Sequence, residues 1–250
     1  MNFVELPEDW PRERSTLRRL ATHVVAQAQQ RTTGHFALMP LPGGFGTPQF
    51  GSDRQRVRVA GGSLYVENAS TPDGNGTRAT TEVHMIAGST INSLCAACGF
   101  DPDPELWVGG DTPELGDPDE MLMLDSDASI VLGDWWTLGQ RAMDVALASL
   151  PDPQASIIRL WPEHFDLGVD LAVNSRDKPD VRTNLGASAG DEYHPEPYLY
   201  VGPWGAERPG PSEFWNAPFG AVMGFGDLDV AENPLAAATE FFLHGIAYQR

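Results

Sequence analysis

The chain has 250 residues, 41% of them hydrophobic and 9% aromatic, enough to fill a sizeable core, and a single folded unit is expected. Its 35 acidic residues against 16 basic ones give a formal charge of -19, so most of the surface would repel a nucleic-acid backbone or an anionic membrane. No apolar run approaches the ~20 residues that span a bilayer, and the opening MNFVELPEDWPRER lacks the apolar core of a secretory signal, so a cytoplasmic protein is expected.

Leu17, Leu20, Ala21, Val24 and Ala28 share one face of a helix predicted over residues 11–30, with arginines elsewhere and Gly34 to end it. Strands are expected at 35–39, 55–59, 64–67 and 77–86, the second and third joined through Ala60, Gly61 and Gly62 as a hairpin. Between the first two lies PGGFGTP, residues 42–48. It lacks the GK[ST] ending of a phosphate loop and has no helix behind it, so it reads as a structural turn or a loop over a pocket.

Ser89 can cap a short helix in which Ile91, Leu94, Cys95 and Cys98 fall at i, i+3, i+4 and i+7, with Gly99 at its end. That pattern turns both thiols of the lone CxxC into the core and argues against a redox or zinc role. Residues 101–127 then carry ten carboxylates, and no Lys or Arg stands between Arg78 and Arg141. A calcium loop fails on spacing, since Leu106 occupies the turn position and Thr112 the final ligand position. A solvated acidic loop is the plainer reading.

A long helix is expected from Ser126 and Asp127, with Val131, Trp135, Leu138, Ala142 and Val145 at helical spacing and Pro151 beyond its end. Strands fill 157–200, and a last helix starts at Asn233 and Pro234, a cap followed by a proline in the first turn, with Phe241, Phe242 and Ile246 available for the core. Hairpin-like neighbours predict an α+β fold, a mostly antiparallel sheet with helices packed on it.

The richest chemistry lies between Leu160 and Trp204. Phe165, Leu167, Val169, Leu171 and Val173 alternate with polar or small residues, the period of a strand with one buried face, which leaves His164, Asp166 and Asp170 on the other. If a strand from Arg182 towards His194 pairs with it so that Asn174 faces Arg182, then Asp166 lies opposite Gly190 and His164 opposite Glu192, with His194 next on the same face. Opposite Cβ atoms in such a pair are roughly 5 Å apart. His164, Asp166, Glu192 and His194 could therefore share one divalent ion, with Zn, Fe or Mn suited to two imidazoles and carboxylates. The same groups could do metal-free acid and base work, or form a hydrogen-bond network that stabilises a turn.

GASAG, residues 186–190, matches the G-x-S-x-G of serine hydrolases, with Asp227 or Asp229 and His244 following Ser188 in chain order. The elbow needs a helix directly after the serine, and the prolines within 191–197 oppose one. Trp161, Tyr193, Tyr198, Tyr200, Trp204, Phe214, Trp215 and Phe219 crowd the same half of the chain, the mixture of aromatic walls and a few polar groups that a small-molecule pocket needs.

LWPEHFDLG, GASAGDEYHPEPYLYVGPW and PGGFGTPQFG resemble segments of an uncharacterised family of actinobacterial proteins, over most of the chain. The resemblance implies a shared fold and no reaction. The expectation is a small-molecule-binding protein or enzyme with a histidine and carboxylate site. A serine hydrolase using Ser188, or a non-catalytic acidic domain with a protein partner, are the alternatives.

Overall fold

The first helical stretch runs as α1 (Trp10–Leu20), a π-helical turn (Ala21–Ala26) and α2 (Gln27–Thr33). Gly34 ends it at φ 75°, its N–H bonded to the Gln30 carbonyl at 2.8 Å. The computed structural model describes residues 5–69, 79–173 and 181–250. They gather into two compact units that share the chain in alternation: an N-terminal unit of the described residues up to Asp134 with Leu160–Phe165, and a C-terminal unit of the described residues of Trp135–Arg159 and Asp166–Arg250. The fold is α+β with antiparallel sheets, as the hairpin-like spacing predicts. No helix among the described residues is long and apolar enough to cross a membrane.

In the N-terminal unit the predicted face of Leu17, Leu20, Ala21, Val24 and Ala28 is buried, and Thr22, His23, Val25 and Ala26 are buried as well. Burial all round has a specific cause. The π turn packs between the sheet and the cysteine-bearing residues 91–97, and the acidic segment is tied along the whole helical stretch through main-chain carbonyls. Arg18 Nη2 donates to the Asp111 carbonyl at 2.5 Å, Arg19 Nη2 to Leu115 at 2.7 Å, His23 Nε2 to Pro113 at 2.8 Å and Gln27 Nε2 to Asp101 at 3.3 Å. The helix thus binds the segment by its backbone and leaves most of its carboxylates to water.

The sheet of this unit runs in the order β1 (Met39–Leu41), β2 (Gly44–Gly46), β3 (Gln55–Ala60), β4 (Ser63–Asn68) and β5 (Thr80–Met85). Gly61 and Gly62, at φ 53° and 74°, make the two-residue turn between β3 and β4. Two expectations are corrected. The first strand lies at Met39–Leu41, after an isolated bridge from Leu38 to Leu160, and not at 35–39. Within residues 42–48, Pro42 and Gly43 do form a turn, but Gly44–Gly46 is a strand between β1 and β3. Glycine is required there by the close approach of β3, since a Cβ on Gly44 would lie 2.1 Å from the Val59 carbonyl oxygen and one on Gly46 2.7 Å from that of Val57.

The cysteine helix is α3 (Ile91–Ala97), capped by Thr90 and not by Ser89: Thr90 Oγ1 accepts from Ser93 N at 3.1 Å and Ser93 Oγ accepts from Thr90 N at 2.9 Å. Ser89 Oγ instead donates to the Met85 carbonyl at 2.6 Å. Cys95 is buried and Cys98 half-buried, both unbridged, and burial pushes each thiol up to about 12. α4 (Ser126–Ala148) follows, and the division between the units falls inside it. Val145 on this helix is exposed, and the neighbouring Ala146 takes the buried position.

The C-terminal unit adds β6 (Gln154–Ala155); the division between the units falls again inside β7 (Arg159–Trp161), and β8 (Asp166–Ala172), β9 (Arg182–Ser188), β10 (Tyr198–Pro203), β11 (Ala221–Gly224), α5 (Phe225–Asp229) and α6 (Pro234–Gln249) complete the C-terminal unit. Its antiparallel order is β11-β10-β9-β8-β6. Leu167, Val169, Leu171, Leu185, Ala187, Leu199 and Val201 form the buried face. Helices approach this face closely because they carry glycine there: a Cβ on Gly139 would come within 2.7 Å of Ala187 Cβ, and one on Gly245 equally near Val201. Trp135 and Trp136 fix α4 against the sheet, their indole N–H groups donating to the carbonyls of Ser188 at 2.8 Å and Ala187 at 3.0 Å. Asn233 caps α6, its Oδ1 accepting from Ala236 N at 3.1 Å.

Two measurements check this account. A thiol reagent should modify native protein slowly, Cys95 more slowly than Cys98, because a thiol with its pKa near 12 has almost no thiolate at neutral pH. Rapid labelling of both without unfolding would contradict the helix packing. His23 tests the clamp. Burial lowers its pKa below the ordinary 6.5, so the fold favours neutral imidazole. Below pH 6.5 the unfolded chain takes up a proton that the native site resists, and stability contributed above that pH is lost as pH falls. Urea midpoints should therefore decline from pH 7 to pH 5 more steeply in the native protein than in His23→Gln, which retains a side-chain N–H for Pro113.

Candidate functional site

The predicted hairpin of β8 and β9 forms in a different register. Asp166 faces Ser188 and not Gly190, and Ala172 faces Arg182; Asn174 lies outside the described residues. The closing bond runs from Val173 N to the Val181 carbonyl, so the connection starts one residue earlier than assumed and is not longer. Because the shift preserves the two-residue period, Asp166 and Asp170 still share the face opposite Leu167, Val169 and Leu171.

His164 is not on that strand. Residues 162–165 form a turn, closed by Phe165 N to the Trp161 carbonyl at 2.8 Å. Phe165 sits at φ 54°, a conformation that costs a side chain roughly 1–2 kcal/mol. Its ring is buried edge-on against Phe45, 5.6 Å between centroids, and burying a phenylalanine contributes about 1.5–3 kcal/mol, enough to offset that cost. His164 is left exposed, with Nδ1 2.9 Å from Asp111 Oδ2. Its carboxylate partner thus comes from the acidic segment.

Glu192 and His194 are not on a strand either, since β9 ends at Ser188. Residues 191–196 form a turn built by Asp191. Its Oδ1 accepts from the N–H groups of Tyr193 at 2.8 Å and His194 at 3.0 Å, while Asp191 N–H donates to the His194 carbonyl at 2.8 Å. Glu192 is exposed. His194 Nδ1 lies 3.1 Å from the Glu196 carbonyl, which can only accept, so Nδ1 carries the proton and Nε2 is the basic nitrogen of the neutral ring. Among the described residues no group of three or more His, Cys, Asp and Glu side chains gathers as metal ligands.

What the register does assemble is a row. Asp166, Ser188 and Tyr198 stand opposite one another across β8, β9 and β10, followed by Gly168, Gly186 and Tyr200 one pleat further. The glycines make the second row work. A Cβ on Gly186 would lie 2.3 Å from Tyr200 Cζ and one on Gly168 3.3 Å from its hydroxyl, so the ring lies flat across both strands and reaches the Asp166 carboxylate, to which it donates. Tyr198 donates in the other direction, to Asp191 Oδ2 at 2.5 Å. Burial first, then the adjoining carboxylates, raise the pKa of both tyrosines, so their hydroxyls remain neutral donors.

Aromatic rings surround this network. Tyr193 lies 5.2 Å from Phe219 and 6.3 Å from Tyr198, and His194 lies 5.8 Å from Tyr198. Tyr193 and Phe219 are 44% and 37% exposed, so the cluster has an open side. At the far end of the sheet face Arg182 holds Asp170, with Nε 3.0 Å from Oδ1, and covers the Trp204 ring at 5.5 Å. Asp170 is thereby committed to an ion pair.

The hydrolase pattern is dispersed. No helix follows Ser188, whose Oγ accepts from Gly190 N at 3.0 Å. Asp227 Oδ2 caps α5 through Gly224 N at 2.9 Å, and His244 stacks on Tyr248 at 6.0 Å. Sequence reasoning missed Asp191, the residue that positions both His194 and Tyr198. Its trace was the D-x-Y-H spacing of an Asx turn after a strand-ending glycine.

Substitutions should separate the two tyrosines. Tyr200→Phe removes a donor from a half-buried carboxylate and should cost about 1–3 kcal/mol of unfolding free energy. Tyr198→Phe should cost less, because Asp191 is exposed and keeps two main-chain donors. Gly186→Ala should cost about 2 kcal/mol by forcing the Tyr200 ring off its floor. Equal effects of the two phenylalanine variants in urea titrations would contradict the assignment. A fluorophosphonate should leave Ser188 unmodified.

Comparison of the chain with known protein families, with curated proteins and with solved structures finds no match.

Proposed function

We propose that the C-terminal unit binds a small organic molecule over the face formed by Asp166, Tyr198, Tyr200, Tyr193, His194 and Phe219. One observation supports this above the others: two neutral tyrosine hydroxyls are committed to two separate carboxylates beneath a rim of half-exposed rings. A purely structural strand pair has no need of glycine floors that lay a phenol across two strands. The rings suit a ligand with a flat or ring-shaped body, and the carboxylates suit one that brings hydrogen-bond donors or positive charge. An anionic ligand is disfavoured by Asp166, Asp191 and the formal charge of -19. His194 Nε2 supplies a base at the rim for proton transfer if the bound molecule is turned over.

NMR titrations with tyramine, glucose and benzoate test the reading. Tyramine or glucose should shift the amides of Tyr193, His194 and Phe219 while benzoate does not, and Asp166→Asn should weaken binding about tenfold. Preference for benzoate, or shifts confined to other parts of the chain, would refute it. Repeating the titrations with Zn2+, Mn2+ or Fe2+ present tests the divalent-metal reading of His164, Asp166, Glu192 and His194: an ion bound there should broaden or shift the imidazole resonances by itself.

A further inference from the structure

We propose that β5 of the N-terminal unit is a docking edge for a basic, extended segment of a partner protein, which would add to the sheet as a sixth strand. β5 is the terminal strand of the order β1-β2-β3-β4-β5. Its register on β4 places Leu64 opposite His84, Val66 opposite Glu82 and Tyr65 opposite Val83. The bond from Ile86 N to the Gly62 carbonyl, 3.0 Å, sets which residues of an antiparallel pair face inward. By alternation His84, Glu82 and Thr80 spend their main-chain groups on β4, and Thr81, Val83 and Met85 direct theirs outward. Among the described residues only Ser89 Oγ takes up any of these, at the Met85 carbonyl.

The same residues present apolar side chains. Val83 is 54% and Met85 63% exposed. The chain beyond β5 pairs with Leu122, through Gly88 N to the Leu122 carbonyl and Leu122 N to the Ser89 carbonyl, so Met121 and Met123 continue the patch at 69% and 64% exposure. Protected edges usually carry lysine, proline or a bulge, and β5 has none of these. Flexible methionines on an exposed surface suit an adaptable apolar contact.

Charge selects the occupant. The 62 residues 79–140 contain no Lys or Arg, and ten carboxylates lie within 101–127 beside the Met121–Met123 strip, with Glu82 on β5 itself. A second copy of this chain would bring the same negative charge to the edge, and an acidic segment would be repelled. A strand alternating lysine or arginine with aliphatic residues matches both the hydrogen-bonding edge and the field.

The test uses an acetylated peptide of alternating lysine and valine and a control of alternating glutamate and valine, added to the full chain. The lysine peptide should slow amide exchange at Thr81 and Val83, and the glutamate peptide should not. Val83→Pro should weaken binding at least about tenfold. Its missing N–H points away from β4, so exchange protection at Leu64 and Val66 verifies that the sheet persists. Val83→Lys, which leaves the backbone intact, should weaken it too. Unchanged exchange at Thr81 and Val83, equal binding of the glutamate peptide, or full binding by Val83→Pro would each overturn the proposal. So would self-association of the wild type abolished by Val83→Pro, which would make a second copy the occupant.

Discussion

The pairing of Asp166, Ser188 and Tyr198 across three strands is the constraint on which the C-terminal unit depends. It places Leu167, Val169 and Leu171 of β8 on the helix-facing side and Asp166 and Asp170 on the other, because side chains alternate strictly along a strand. It also sets Gly168 and Gly186 side by side, and only that coincidence lets a tyrosine from a third strand lie across them. A slip of one residue would bury Asp166 among Leu185, Ala187 and Val201 and expose Leu167, a change that helix packing through Gly139 and Gly245 forbids. The polar face is therefore enforced by the apolar one.

Charge is managed differently in the N-terminal unit. Its acidic segment is held by Arg18, Arg19, His23 and Gln27 almost wholly through carbonyl oxygens. Such bonds do not depend on which acidic side chains the segment carries, so the negative charges are free to act on the surroundings. The exceptions are Asp111, which holds His164, Glu120, 3.6 Å from Arg19 Nη1, and Asp119, which accepts from Asn92 Nδ2 at 2.6 Å. A segment that looks like solubilising filler by composition is thus an ordered surface, and the field it creates has a fixed position relative to the exposed methionines.

Periodicity made the elements legible. The α1 face, the alternation of Leu167, Val169 and Leu171, the hairpin at Gly61 and Gly62 and the Asn233 cap all follow from local chemistry. Gly44–Gly46 was illegible because glycine disfavours strands, and what requires it is the close approach of β3, whose Val59 oxygen would lie 2.1 Å from a Cβ on Gly44. His164 was misplaced because the burial of Phe165 mimics the next step of the strand, whereas its positive φ turns the chain. The face carrying Asp166 was readable from the sequence, but its partners were not. Register depends on the residue at which a connection closes, and Asp191 acts through an Asx turn that no periodicity reports. The aromatic crowding around residues 193–219 was visible, yet the commitment of each phenol to its own carboxylate needs three-dimensional placement.

The interleaving of the two units bears on how the protein must be made. Leu160 bridges Leu38, the Glu163 carbonyl accepts from Arg18 Nε at 3.0 Å, and Phe165 packs on Phe45, so a short stretch encoded after α4 belongs to the N-terminal unit. On the ribosome that unit lacks a core ring and a helix anchor until residue 165 has left the exit tunnel, at a time when half of the other sheet is still unsynthesised. Folding cannot proceed as one finished domain followed by another. Neither unit corresponds to a contiguous stretch of gene, and a truncation placed at the division inside α4 removes material from both.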